Sequence, residues 1–270
     1  MLIQLTATRL REMYLYGMAE GLQEQLERPA LSEGLSFEER LGLLVDREFT
    51  YRKQKRVDRL LREAHLRLPA HVEELDFRAA RGLDRSLVHS LAQGEWLARH
   101  QDVLITGATG AGKTYLACAL ADAACRLGRS TRYYRVPQLL EDLRMAQADG
   151  SYRRLMAQLG RFELLALDDF GLAPLEGPSG RLLLEVVDDR SERRSTIVAS
   201  QLPMTAWHDV ITDKTIADAI LDRWIHRAYR IALKGDSLRR TVPSPDSPEP
   251  TSAAATQGSQ NGSPVATREV

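Results

Sequence analysis

Residues 107–114 read GATGAGKT, behind the apolar run DVLI and ahead of YLACALADAACRL. Gly107, Gly112, Lys113 and Thr114 satisfy G-x-x-x-x-G-K-[ST], the pattern of a loop that wraps backbone N–H groups around phosphates. Each residue type has a reason. Gly107, Ala108, Thr109, Gly110, Ala111 and Gly112 are the backbone of the wrap, where bulky side chains would keep the N–H groups from the anion. Lys113 is expected to neutralise β- and γ-phosphate charge, and Thr114 to reach a magnesium ion. The helix that starts here, with Tyr115 in its first turn, points its positive end at the phosphates. The ligand this chemistry implies is ATP with Mg2+.

Phosphate binding becomes hydrolysis only with acids opposite the loop. The stretch LLALDDFG supplies them: Asp168, just past four apolar residues, is placed to hold the magnesium, and Asp169 to polarise an attacking water. The alternative is a pair of turn acids at a strand end. Ser200 and Gln201 close the next strand, STIVAS, where a polar side chain could hold the lytic water or touch the γ-phosphate. Arg223 precedes the last expected strand. It reads either as an exposed helical arginine beside Asp222 or as a finger that completes a neighbouring subunit's pocket. Arg239, in GDSLRR, is a second candidate sensor of the γ-phosphate.

These residues need a scaffold. Strands are expected at 102–106, 131–136, 163–168, 195–200 and 230–233, with helices in the intervals, so residues 70–241 read as βα repeats around a parallel sheet. Residues 1–69 read as helical. One helix runs from Thr8 to Pro29, and a second, capped by Ser36 with Glu39 three positions on, runs to Pro69. From Pro243 the chain carries five prolines and no Leu, Ile, Phe, Tyr or Trp. Residues 242–270 are therefore expected to be a disordered tail.

Overall charge says nothing about partners, because Lys plus Arg and Asp plus Glu number 37 each. Local charge says more. Residues 47–67 hold eight Lys or Arg against three acids, and YRKQKR packs four cations into six positions. Arg52, Lys53, Lys55 and Arg56 form either a solvated helix face or a contact with nucleic-acid phosphates. Between the second and third strands, PQLLEDLRMAQADGSYRRLMAQLGRF reads as two helices broken at Gly150. Its Arg153 and Arg154 belong either to a basic crossover pair packed on the sheet or, as a resemblance to DnaC-like and initiator ATPases implies, to a helical insert that faces nucleic acid. Cys118 and Cys125, seven apart on one helix, fit core packing and no zinc or disulfide framework. No stretch has the length of a membrane span, so a cytoplasmic protein is expected.

Together GATGAGKTYLACAL, LLALDDFG, TIVASQLP and AILDRWIHRAYRIALKGDSLR resemble the IstB-type helper ATPases of insertion sequences, relatives of the DnaC helicase loaders in the AAA+ superfamily. The likeness covers roughly residues 5–241. It implies an α/β fold, a P-loop AAA+ three-layer parallel sheet preceded by a small helical domain. It also implies an ATPase that forms a homo-oligomer on duplex DNA and presents target DNA to a transposase encoded by the same element. On that resemblance Gly112, Lys113 and Thr114 fall on the phosphate loop, Asp168 and Asp169 on the acidic pair, Ser200 and Gln201 on the first sensor and Arg223 on the finger. Two departures stand out. Asp169 replaces the commoner Glu, and the helical lid is absent or vestigial, since the tail begins ten residues after Leu233. A helicase loader and a nucleotide-gated DNA scaffold with little turnover are the alternatives.

Overall fold

The computed structural model describes residues 2–77 and 82–235. Five strands, β1 (Asp102–Gly107), β2 (Thr131–Arg135), β3 (Leu164–Phe170), β4 (Ser195–Ser200) and β5 (Ala228–Leu233), form one sheet in the order β2-β3-β4-β1-β5. Every pairing is parallel. The strand residues alternate between two cores. Val103, Ile105, Leu164, Ala166, Ile197 and Ala199 face one side, and Leu104, Leu165, Leu167 and Val198 face the other. Both faces are covered, as near-continuous apolar strands require. The result is the three-layer α/β arrangement expected from the sequence, with strand boundaries within two residues of the expected ones.

The first face is covered by α4 (Arg85–Ala92), α5 (Glu95–Ala98) and α6 (Lys113–Arg126). The second is covered by α7 (Val136–Asp149), α8 (Tyr152–Arg161), α9 (Pro178–Arg190), α10 (Trp207–Val210) and α11 (Lys214–Ile225). The expected break between α7 and α8 is present: Gly150 is left-handed at φ 78°. Phe170, Trp207 and Trp224 meet edge-on beneath the end of β3, with centroid separations of 4.9 to 6.2 Å.

The N-terminal helices depart from expectation twice. The single helix expected up to Pro29 is two, α1 (Leu2–Glu12) and α2 (Tyr16–Glu27). The apolar spacing runs straight through the break, which is set by tertiary contacts. Tyr14 is left-handed at φ 61°, and a Cβ on Gly17 would lie 2.8 Å from the Arg47 carbonyl oxygen of the next helix. That next helix, α3 (Phe37–Ala64), opens with the expected capping box, and its buried Glu48 accepts from the Met18 N–H at the start of α2. Instead of reaching Pro69, α3 ends at Ala64, with His65 left-handed at φ 49°. Val57, Leu60 and Ala64 are buried where α3 lies against α6 and β2. The chain that leaves α3 then passes directly over the carboxyl end of β3.

The expected disordered tail, the missing lid and Arg239 lie outside the described residues. Among the described residues no helix is long and apolar enough to cross a membrane.

Candidate functional site

The carboxyl ends of β1, β3 and β4 meet at one edge of the sheet, the place where open parallel α/β sheets bind ligands. β1 runs into the glycine loop, and α6 begins at Lys113 with Gly112 as its left-handed cap. Gly107 shows why the pattern starts with glycine: its φ is 153°, and a Cβ there would lie 2.6 Å from the Leu233 carbonyl oxygen on β5. Lys113 is buried and its Nζ donates to the Ala108 carbonyl at 2.9 Å, folding the lysine across its own loop. Thr109 Oγ1 donates to Gln201 Oε1 at 2.8 Å, so the loop is tied to the end of β4.

Across the cleft, Asp168 is almost fully buried. Its Oδ2 accepts from Thr114 Oγ1 and from the Tyr133 hydroxyl, each at 2.7 Å. Burial first, and then the adjacent Asp168 carboxylate, push the Tyr133 phenol well above its ordinary range, so it stays a donor. In a regular strand two successive side chains point to opposite faces. Here the register between β3 and β4 shifts between Leu167 and Phe170, and Asp169 is left-handed at φ 60°. The bulge turns both carboxylates toward the phosphate loop, a use of bulges common beside active sites.

Two arginines that the sequence motifs do not single out bind this acidic pair. Arg135, the last residue of β2, donates from Nε to Asp169 Oδ2 at 2.6 Å. Arg67, from the segment after α3, sits with Nη1 3.5 Å from Asp169 Oδ2 and 3.8 Å from Asp168 Oδ2. With Thr109, Lys113, Thr114 and Gln201 they line a cleft of about 420 Å³. For Arg135 a signal existed, since strand pairing puts it opposite Asp168. For Arg67 there was none, because its place depends on where α3 stops.

A family model described as "IstB-like ATP binding protein" matches residues 8–244. A protein of Sinorhizobium fredii described as an insertion-sequence ATP-binding protein is 48% identical over 240 residues, 89% of this chain and 98% of that one. The chain belongs to the IstB-like ATP-binding family. The ATP-binding protein of insertion sequence IS1162 from Pseudomonas fluorescens is 50% identical to this IstB-like chain over 204 residues, 75% of this chain and 88% of its own. Among solved structures, DnaI matches at a TM-score of 0.53 and 22% identity, over 66% of this chain and 94% of its own. The DnaC helicase loader matches at 0.53 and 15%, over 61% and 97%. At those identities the likeness is one of fold, a parallel α/β sheet shared with DnaI and DnaC.

In this IstB-like chain a second cavity of about 200 Å³ adjoins the loop, lined by Leu75, Leu83, Ala111, Tyr115, Leu116 and Leu233 among others. Its walls are apolar enough to take a flat base. The Tyr115 hydroxyl donates to Glu74 at 2.7 Å, which joins the start of α6 to the chain that forms the far wall.

The other expected site residues separate. Gln201 reaches the loop; Ser200 does not. The Ser200 hydroxyl is fully buried, donates to the Phe170 carbonyl at 2.7 Å and accepts from the Leu202 N–H at 3.1 Å. These two bonds brace the end of β4 against β3. Arg223 lies beside Asp102 and Thr196, at the amino ends of β1 and β4, the opposite end of the sheet from its own phosphate loop. It pairs with Asp188 at 2.7 Å and not with the sequence-adjacent Asp222.

The basic candidates are all exposed, but they are not equivalent. Arg56 donates to the Gly128 carbonyl at 3.2 Å, and Arg52 pairs with Glu48 at 2.6 Å. Lys55 lies over the Tyr51 ring, and Lys53 projects from the same helix. Arg153 and Arg154 stand on the first turn of α8 and do not line the phosphate cleft. Cys118 and Cys125 are buried as expected. Burial pushes the Cys118 thiol above its ordinary range, as it does for Cys125.

Proposed function

We propose that this IstB-like protein binds ATP with Mg2+, hydrolyses it, and uses the cycle to assemble as a homo-oligomer on duplex DNA, where it assists the transposase of its element. The observation that supports hydrolysis is the contact of Thr114 with Asp168 across the cleft, with Asp169 and Gln201 beside it. A hydroxyl and a carboxylate oxygen 2.7 Å apart are the hard donors magnesium prefers, and two donors leave room for phosphate and water to complete an octahedron. Thr114 and Asp168 would hold the ion. Bound there, it supplies charge neutralisation at the β- and γ-phosphates.

The residues then divide the work. The backbone of residues 107–112 and Lys113 cradle the phosphates, and the apolar cavity behind Tyr115 takes the base. Asp169, once released from Arg135, accepts a proton from the attacking water, which Gln201 orients. Arg223 cannot serve its own site from the far end of the sheet, so it acts on the nucleotide of an adjacent subunit. Lys53, Lys55, Arg153 and Arg154 supply the cations for phosphate contacts with DNA. Arg52 and Arg56 contribute less because each is already engaged.

The role in transposition is supported by the insertion-sequence relatives. A helicase-loader role has only the shared fold behind it. Sedimentation of the purified chain with ATP, duplex DNA, both or neither tests the proposal. Large particles are expected only with both, and a single monomeric species in all four mixtures would overturn it. Assembly without any phosphate release would leave a nucleotide-gated scaffold.

A further inference from the structure

Arg67 is one of two cations at this site, with Arg135, that neither the loop pattern nor the acidic pair accounts for. It follows α3, which packs against α6, the helix that carries Thr114. The guanidinium lies 3.5 and 3.8 Å from the two carboxylates, with the side chain 40% exposed and lining the cleft. This is a cation at charge-pairing distance from the Oδ2 that Thr114 also binds.

We propose that Arg67 is a γ-phosphate-binding residue, parked on Asp168 and Asp169 until nucleotide enters and then transferred to the terminal phosphate, and that the transfer carries nucleotide state to α3. This rests on the reading of the cleft as an ATP–magnesium site. Thr114 and Asp168 would hold magnesium, and that added positive charge would weaken the hold of Asp168 on the guanidinium. The nearest anion left to it is a γ-phosphate in the same cleft, for which a planar guanidinium is well suited. ADP offers no such acceptor, so with ADP Arg67 stays on Asp169. Only two residues, His65 and Leu66, separate Arg67 from the end of α3. A change in its position therefore reaches the helix that carries Lys53 and Lys55.

The test is equilibrium titration of the full chain with fluorescent ATP and ADP analogues in magnesium, which needs no turnover. Arg67→Ala is expected to weaken ATP binding tenfold or more while ADP binding stays within twofold, and Arg67→Lys to restore part of the loss. Equal loss for both nucleotides, or loss for neither, overturns the phosphate contact. Failure of the unaltered chain to bind either analogue instead overturns the reading of the cleft. The coupling is read by a nitroxide pair at Phe49→Cys and Arg181→Cys, both exposed, with the native cysteines buried. The distance between them should differ between ADP and a non-hydrolysable ATP analogue, and Arg67→Ala should abolish the difference. Identical distances in both nucleotide states overturn the link to α3.

Discussion

The Thr114 hydroxyl and the Asp168 carboxylate meet at 2.7 Å although 54 residues separate them in sequence. The contact closes the gap between the loop that follows β1 and the acid that ends β3, with β4 between those strands. Thr114→Ala removes one of two protein oxygens placed for magnesium and a charge-assisted hydrogen bond. ATP affinity in magnesium should fall by about tenfold or more, the scale of one such bond. Affinity in EDTA should change much less. Titration with a fluorescent ATP analogue in both buffers checks this, and equal losses in the two would count against a metal role.

Asp169→Asn should preserve ATP binding and suppress hydrolysis by about 10²- to 10⁴-fold, the usual range for a general base. Asparagine tolerates the left-handed backbone that Asp169 adopts, so the bulge should survive. Phosphate release against nucleotide affinity separates the two effects. Activity within a few-fold of the parent would assign the base elsewhere.

Arg223→Ala and Lys113→Ala should each abolish phosphate release, and an equimolar mixture should recover part of it. In mixed assemblies an intact loop on one subunit would receive Arg223 from the other. No recovery on mixing would mean that Arg223 does not act between subunits.

Gly107→Ala must adopt φ 153° and place a methyl 2.6 Å from the Leu233 carbonyl, so it should cost more than about 2 kcal/mol. Gly42→Ala, in α3 with open space around it, should gain about 0.5–1 kcal/mol. Thermal melts of the two variants should move in opposite directions.

Asp102 provides a pH dependence. Burial raises its carboxyl to about 7, although the Thr196 N–H and the Arg190 charge pull the other way. The unfolded value is about 4, so between about pH 4 and 7 the native state binds the extra proton. Its contribution to stability is complete below about pH 4 and is lost as pH rises toward 7, by an amount on the order of a few kcal/mol. Asp102→Asn keeps an acceptor for the Thr196 N–H and should flatten the fall in melting temperature over that window. An unchanged pH profile would mean that Asp102 does not titrate there.

The sequence by itself determined the sheet, the phosphate loop and the acidic pair. Those features depend on local rules: apolar runs of strand length, small residues where backbone must reach an anion, acids at a strand end. Tertiary structure decided the rest. Ser200 and Gln201 are equivalent as neighbouring polar residues, and only the close approach of β3 and β4 commits one to backbone and frees the other for the loop. A bulge that no local pattern announces turns Asp169 to the same side as Asp168. The break between α1 and α2, the early end of α3 and the arrival of Arg67 at the acids are set by packing between segments far apart in sequence. Helical periodicity records which face of a helix is buried; it carries no term for where a distant glycine or carboxylate stops the helix and redirects the chain.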